Sequence, residues 1–149
     1  MKSNRSRNRA AFSLLELSLA LAVIVILLLA LAQGGGIRNQ ARVMTAAESI
    51  RTLRTAAEGF ISGGNLTYTG VSLTELKNKN LLPGGFSGTG SNPWGGNYNI
   101  AVNAGDATKV DITVTAVPDD AGAQLNTLFK NSAGSTSYDA GTDIWTGTF

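Results

Sequence analysis

A single carboxylate lies near the start of a long apolar stretch. The stretch is RNRAAFSLLELSLALAVIVILLLALA, residues 7–32, and its acid is Glu16. An unpaired charge at the centre of a membrane helix costs about 3 kcal/mol on insertion scales. Glu16 therefore either lies near a membrane interface or has a positively charged partner that the unprocessed chain does not present.

Two further carboxylates, Asp139 and Asp143, lie in the segment YDAGTD. Ca²⁺ takes roughly 6–8 oxygen ligands, so these two acids form a site only if backbone carbonyls and water complete the set. The sequence has no histidine and no cysteine, which removes imidazole chemistry, thiol nucleophiles and most zinc sites. The sequence also offers no nucleophile–base pair. We therefore predict no metal site, no cofactor and no enzymatic activity.

The positive charge of the chain is concentrated at its start. The net charge is +2, from 12 basic and 10 acidic residues. Four of the basic residues, Lys2, Arg5, Arg7 and Arg9, precede Phe12, and without them the acids outnumber the bases. A basic segment before an apolar run keeps that end cytoplasmic. No nucleic-acid partner is predicted, because the basic residues are not interleaved with aromatic ones.

Three interpretations fit the apolar run from Phe12 to Ala32. Its length, about 31 Å at ~1.5 Å per helical residue, is close to the thickness of a bilayer. One interpretation is a signal peptide cut between Ala32 and Gln33, although the run exceeds the usual ~7–15 apolar residues. Another is a permanent membrane anchor. In the third, a peptidase cuts before Phe12 and the run stays in the product. Only this last interpretation gives Glu16 a role.

A second helical pattern follows Gly34, Gly35 and Gly36. Each glycine weakens a helix by roughly 1 kcal/mol relative to alanine, so the triplet is either a hinge or the end of the membrane helix. The next apolar residues recur at spacings of three and four, which predicts one buried stripe along a helix that ends at Ser62. The stripe consists of Val43, Ala46, Ile50, Leu53, Ala57 and Phe60. Arginines 38, 42, 51 and 54 are interpreted as a solvated or inter-subunit helix face.

The rest of the chain predicts an α+β domain. Ser72 and Glu75 have the spacing of a capping box and predict a short helix, and residues 83–97 are rich in turn formers. Alternating apolar residues predict a β-hairpin whose strands flank the turn NAGDATK, with the second strand continuing through Ala116. Asp119 or Asp120 is expected to cap another short helix, a polar Ser/Gly/Thr stretch follows, and DIWTGTF predicts a last strand.

The segment AFSLLEL resembles the signal of type IV pilins and pseudopilins. In that family a basic leader precedes a small residue and an apolar residue, and a glutamate is the fifth residue of the mature chain. Ala11, Phe12 and Glu16 match those positions, with alanine where glycine is usual. Farther on, YTGVSLTELKNKNLLP and NPWGG resemble the type IVb layout. The chain lacks the cysteine pair that closes the C-terminal loop of most pilins.

The resemblance implies a type IV pilin fold, in which a long N-terminal helix packs on a small antiparallel β-sheet. It divides the chain into a leader (1–11), a helix (12–62) and a globular α+β head (63–149). The helix would have a membrane or filament-core half (12–33) and an amphipathic half (37–62).

The resemblance also implies a function. Prepilin peptidase would cut between Ala11 and Phe12, and the new terminus at Phe12 would be N-methylated. Glu16 would pair with the terminal amine of a neighbouring subunit. The chain would leave the inner membrane, with the help of a platform protein and an ATPase, and polymerise into a surface filament for attachment, motility or DNA transfer. The alternatives are a pseudopilin of a type II secretion system and a minor or competence pilin. A membrane-anchored binding module that never polymerises is a further alternative.

Overall fold

A computed structural model describes the backbone of residues 14–149 and the side chains of residues 18–28 and 38–149. The chain forms two units, Met1–Ile37 and Arg38–Phe149, and we call the second the C-terminal unit. The helices are α1 (Leu14–Ser62), α2 (Leu73–Asn78) and α3 (Asp119–Phe129). The strands are β1 (Tyr98–Val102), β2 (Val110–Val114), β3 (Ser135–Asp139) and β4 (Ile144–Thr148). The α+β prediction is confirmed.

Helix α1 belongs to both units. Its bounds include Gly34–Gly36, and its part in the C-terminal unit carries the predicted apolar stripe. Every member of the stripe, from Val43 to Phe60, is at most 4% exposed, and Ala47 and Ala56 are buried beside them. The stripe is therefore the side of α1 that packs into the core, as its spacing predicts. The hinge function of the glycines and the two proposed helix halves remain predictions.

The four strands form one antiparallel sheet in the order β1-β2-β4-β3. The predicted hairpin is confirmed, with Ile100 opposite Ile112. The predicted last strand is confirmed as well, and it lies inside the sheet between β2 and β3. Residues of α1, α2, α3 and the inner face of the sheet share one hydrophobic core. The largest fully buried side chains are Trp145, Ile50, Leu53, Leu76, Ile100, Ile112 and Leu125.

The sequence predicts no strand in the polar stretch after α3, but the structure has one there. Residues Ser135–Asp139 form β3 at an edge of the sheet, paired along their length with β4. Only alternate side chains, those of Thr136 and Tyr138, are half-buried. An edge strand with one solvated face and one free side needs few apolar residues, and its sequence therefore resembles a loop.

Two predicted boundaries also differ from the structure. Strand β2 ends at Val114 rather than at Ala116, whose backbone has a φ of 57°, in the left-handed region that interrupts a strand. The N-cap of α3 is Pro118, which makes no side-chain capping bond. Asp119 and Asp120 therefore lie in the first turn, where a negative charge favours the helix dipole without capping it.

Candidate functional site

The residues predicted for processing and assembly lie outside the parts that the structure describes in full. Ala11 and Phe12 precede the described backbone. Glu16 and Gly34–Gly36 lie within helix α1, but their side-chain environment is outside the described residues. Cleavage, N-methylation, pairing of Glu16 with an amine and hinge motion all remain predictions.

The described part of the predicted apolar run is exposed on every side. All eleven residues from Ser18 to Leu28 are exposed, and they form three turns of α1. The large apolar side chains among them are Leu19, Leu21, Val23, Ile24, Val25, Ile26, Leu27 and Leu28, at 49–66% exposure. A helix that is apolar all round is stable only where lipid or protein covers it. We call residues 18–28 the apolar segment.

Within residues 18–28 and 38–149, no helix provides a stretch both long enough and apolar enough to cross a membrane. The predicted run from Phe12 to Ala32 lies partly outside these ranges.

The two candidate calcium ligands lie on either side of the β3–β4 turn. Asp139 accepts bonds from the Gly141 N–H at 2.9 Å and from the Thr142 hydroxyl at 2.8 Å. The Gly141 N–H and the Thr142 hydroxyl hold the pKa of Asp139 below its usual value. Within the described residues, no three acidic, histidine or cysteine side chains come together as a metal site.

A polar cluster that sequence reasoning missed surrounds Tyr138. Its hydroxyl lies 2.8 Å from Val117 O, 2.8 Å from Asp119 Oδ1 and 3.4 Å from Asp143 Oδ1. A hydroxyl has one proton, so it donates to one of these acceptors at a time. Loss of hydration and the neighbouring Asp119 and Asp143 carboxylates raise the pKa of Tyr138 to about 12. The only signal in the sequence is a lone tyrosine within a polar stretch.

Arg54 links α1 to the C-terminal segment, which has no disulfide. Its Nη1 donates to Ser132 O at 3.0 Å, and its guanidinium lies 5.3 Å from the centre of the Phe149 ring. Its Nε also donates to Glu58, four residues farther along α1, at 2.9 Å. Arg54 is half-buried, and its assignment to a solvated or inter-subunit face of α1 stays a prediction.

The NPWGG turn is organised by one buried side chain. Asn92 is 5% exposed. Its Oδ1 accepts bonds from the N–H groups of Trp94 and Gly96, and its Nδ2 donates to Thr115 O at 2.6 Å. Trp94 packs against the core. The turn therefore anchors the long loop to the end of β2 and has a structural role.

Comparison with known proteins gives one match. No curated protein and no solved structure shows significant similarity to the chain. The family model described as PilS N terminal matches residues 40–146, which include most of the C-terminal unit. The chain therefore belongs to the PilS N-terminal family and is a pilus-related protein.

Proposed function

We propose that the chain is the structural subunit of a type IV pilus, with a type IV pilin fold. The exposure of the apolar segment on every side carries this proposal, because such a surface requires lipid or other protein copies around it. The family match supports a role in a pilus. A pilin uses the same helix in both environments, first in the inner membrane and then in the core of the filament.

Processing provides the charge on which assembly depends. Prepilin peptidase cuts between Ala11 and Phe12, and the product carries a positive, N-methylated amine at Phe12. Methylation leaves the amine basic. In the low dielectric of the membrane or the filament core, the amine of an incoming subunit pairs with Glu16 of a neighbour. The pair fixes the register of the subunits rather than adding much net stability, because both charges lose their hydration.

The other partners follow from the same proposal. The subunit remains in the inner membrane until a platform protein and an ATPase move it into the growing filament. The filament then extends from the cell surface. The proposal involves no catalysis, no cofactor and no nucleic acid.

Mass spectrometry of the N-terminus, combined with a Glu16→Ala variant, tests the proposal. Filaments sheared from cells should consist mainly of chains that start at methylated Phe12. The Glu16→Ala chain should insert into the membrane but should assemble poorly or out of register. Glu48→Ala is the matched control, because Glu48 is an exposed acid on α1 that already pairs with Arg51 at 3.5 Å.

Two results would contradict the proposal. Chains that start at Gln33 or Met1 would remove the filament mechanism. Normal filaments from Glu16→Ala would refute the pairing of Glu16 with the amine. A correctly processed chain that stays in the envelope and forms no long filament would instead favour the pseudopilin alternative.

A further inference from the structure

Helix α1 carries a polar stripe along one side of the C-terminal unit. Its members are Arg38, Arg42, Thr45, Ser49 and Thr52, at spacings of four, three, four and three. These spacings place the residues on one side of a helix. Arg38, Arg42 and Thr45 are exposed, and Ser49 and Thr52 are half-buried. We call these five residues the polar stripe.

The hydroxyl groups of the polar stripe are satisfied within their own helix. Thr45 donates to Ala41 O at 3.0 Å, Ser49 donates to Thr45 O at 3.1 Å, and Thr52 donates to Glu48 O at 3.0 Å. A polar group that already has a partner costs little to remove from water. Another protein surface can therefore cover this part of α1 without leaving hydroxyls unpaired.

The two arginines of the polar stripe, Arg38 and Arg42, form no ion pair within residues 38–149, in contrast to its hydroxyl groups, which are hydrogen-bonded. The other two arginines of α1 are paired, Arg51 with Glu48 and Arg54 with Glu58. A surface that covers Arg38 and Arg42 must therefore bring its own negative charge.

A group of acidic residues, opposite in charge to Arg38 and Arg42, lies at the β3 edge of the sheet. It consists of Asp119, Asp120 and Asp143, none of which forms an ion pair in the C-terminal unit. Asp119 lies 2.8 Å from the hydroxyl of Tyr138, in the edge strand β3. We call these three residues the acidic group.

One member of the polar stripe lies beside the other edge. Burial raises the pKa of Tyr98, the first residue of β1, and the adjacent hydroxyl of Ser49 lowers it. Strand β1 is the edge opposite β3. Ser49 of the polar stripe and the acidic group thus lie at opposite edges of one sheet.

We propose that Arg38 and Arg42 of one copy dock against the acidic group of a second copy. The charges are complementary, and within residues 38–149 neither set forms an ion pair. A contact that joins two different surfaces leaves one of each free at the ends, so it propagates into an open helical filament rather than closing as a dimer. The inference rests on the proposed pilin function and identifies the contact that joins neighbouring C-terminal units.

Cross-linking tests this contact directly, because the chain has no cysteine of its own. Full-length chains with both Arg42→Cys and Asp120→Cys are assembled in cells and treated with a short bis-maleimide. The docking predicts a ladder of linked oligomers from the filaments. Neither single variant should give a ladder. Arg42→Cys combined with Lys109→Cys, in the β1–β2 turn, is the matched control and should give none.

Charge reversal gives an independent result. Arg42→Asp and Asp120→Arg should each lower the yield of sheared filaments by about tenfold, because each places like charges in contact. The double variant should restore the yield to within about threefold of the unsubstituted chain, because the attraction is regained. Lys109→Asp should leave the yield unchanged.

The outcomes separate the two proposals. Normal filaments without a ladder from Arg42→Cys/Asp120→Cys overturn the docking contact and leave the pilin function intact. Loss of filaments in Arg42→Asp without rescue by Asp120→Arg also overturns it, and indicates that Arg42 contacts anionic lipid or the assembly machinery. If the unsubstituted chain forms no filaments, both proposals fail.

Discussion

Nε1 of Trp145 donates a hydrogen bond of 2.9 Å to Oδ1 of Asn126. The Trp145 side chain is completely buried, and its ring lies 5.4 Å from that of Phe129. The contact joins β4 to α3 in a chain without cysteine. Together with Arg54 and the cluster around Tyr138, it holds the C-terminal segment in place by packing and hydrogen bonds, where most pilins have a disulfide.

Asn126→Ala should lower the free energy of unfolding by about 1–3 kcal/mol, because the buried indole N–H loses its acceptor. Urea unfolding of the full chain in detergent, followed by tryptophan fluorescence, measures the change. Thr127→Ala is the control, since its exposed hydroxyl only bonds back to Ala123 O, and its effect should stay within about 0.5 kcal/mol. Equal effects of the two substitutions would show that the indole bond contributes little.

Asn92→Asp should destabilise the protein by about 1–3 kcal/mol, because a carboxylate oxygen replaces the Nδ2 donor that faces Thr115 O. Asn97→Asp is a close control. The bond that Asn97 makes to the Gly90 N–H uses only its Oδ1 as acceptor, and aspartate preserves it. Thermal unfolding of the two variants should therefore separate them. A tolerated Asn92→Asp would contradict the structural role of this buried amide.

Gly122→Ala should destabilise the protein although alanine favours helix α3. A Cβ at this position would overlap atoms of the Tyr138 ring, and relieving such an overlap typically costs about 1–3 kcal/mol. The displaced Tyr138 would lose its bonds to Val117 and Asp119. Gly84→Ala, where the added carbon meets open space, should be neutral. Calorimetry of both variants makes the comparison, and an unchanged melting temperature for Gly122→Ala would refute the close packing.

Tyr138 should make stability depend on pH in the alkaline range. Its pKa rises from 10.0 to about 12 in the folded protein, so folding favours the protonated hydroxyl. The stabilisation is fully present below pH 10 and is lost as the pH rises from about 10 to about 12. The melting temperature should fall more steeply over this range than that of Tyr138→Phe, which cannot ionise there. Parallel curves for the two proteins would exclude the effect.

Local periodicity was enough to predict the elements that bury one regular face. The α1 stripe from Val43 to Phe60 and the alternation around Ile100 and Ile112 both have a single period and a single buried side. The capping bond from the Glu75 N–H to the Ser72 hydroxyl, at 3.2 Å, was predicted from residue types and spacing alone.

Features that depend on distant parts of the chain were not predictable in this way. Strand β3 has almost no apolar pattern, and its conformation depends on β4 beside it. The cluster around Tyr138 brings together residues from 117 to 143 through the sheet and α3. The bond from Arg54 to Ser132 O likewise depends on where the segment after α3 lies against α1.

The interior position of β4 has a consequence for biogenesis. The strand that is last in sequence order is needed to bridge β2 and β3. Until residues 144–148 have emerged from the ribosome, β3 has no neighbour and the core lacks Trp145. Closure of the sheet is thus a late event that depends on contacts distant in sequence. A chain synthesised only as far as β3 therefore carries exposed strand edges, to which chaperones can bind until residues 144–148 pair with them.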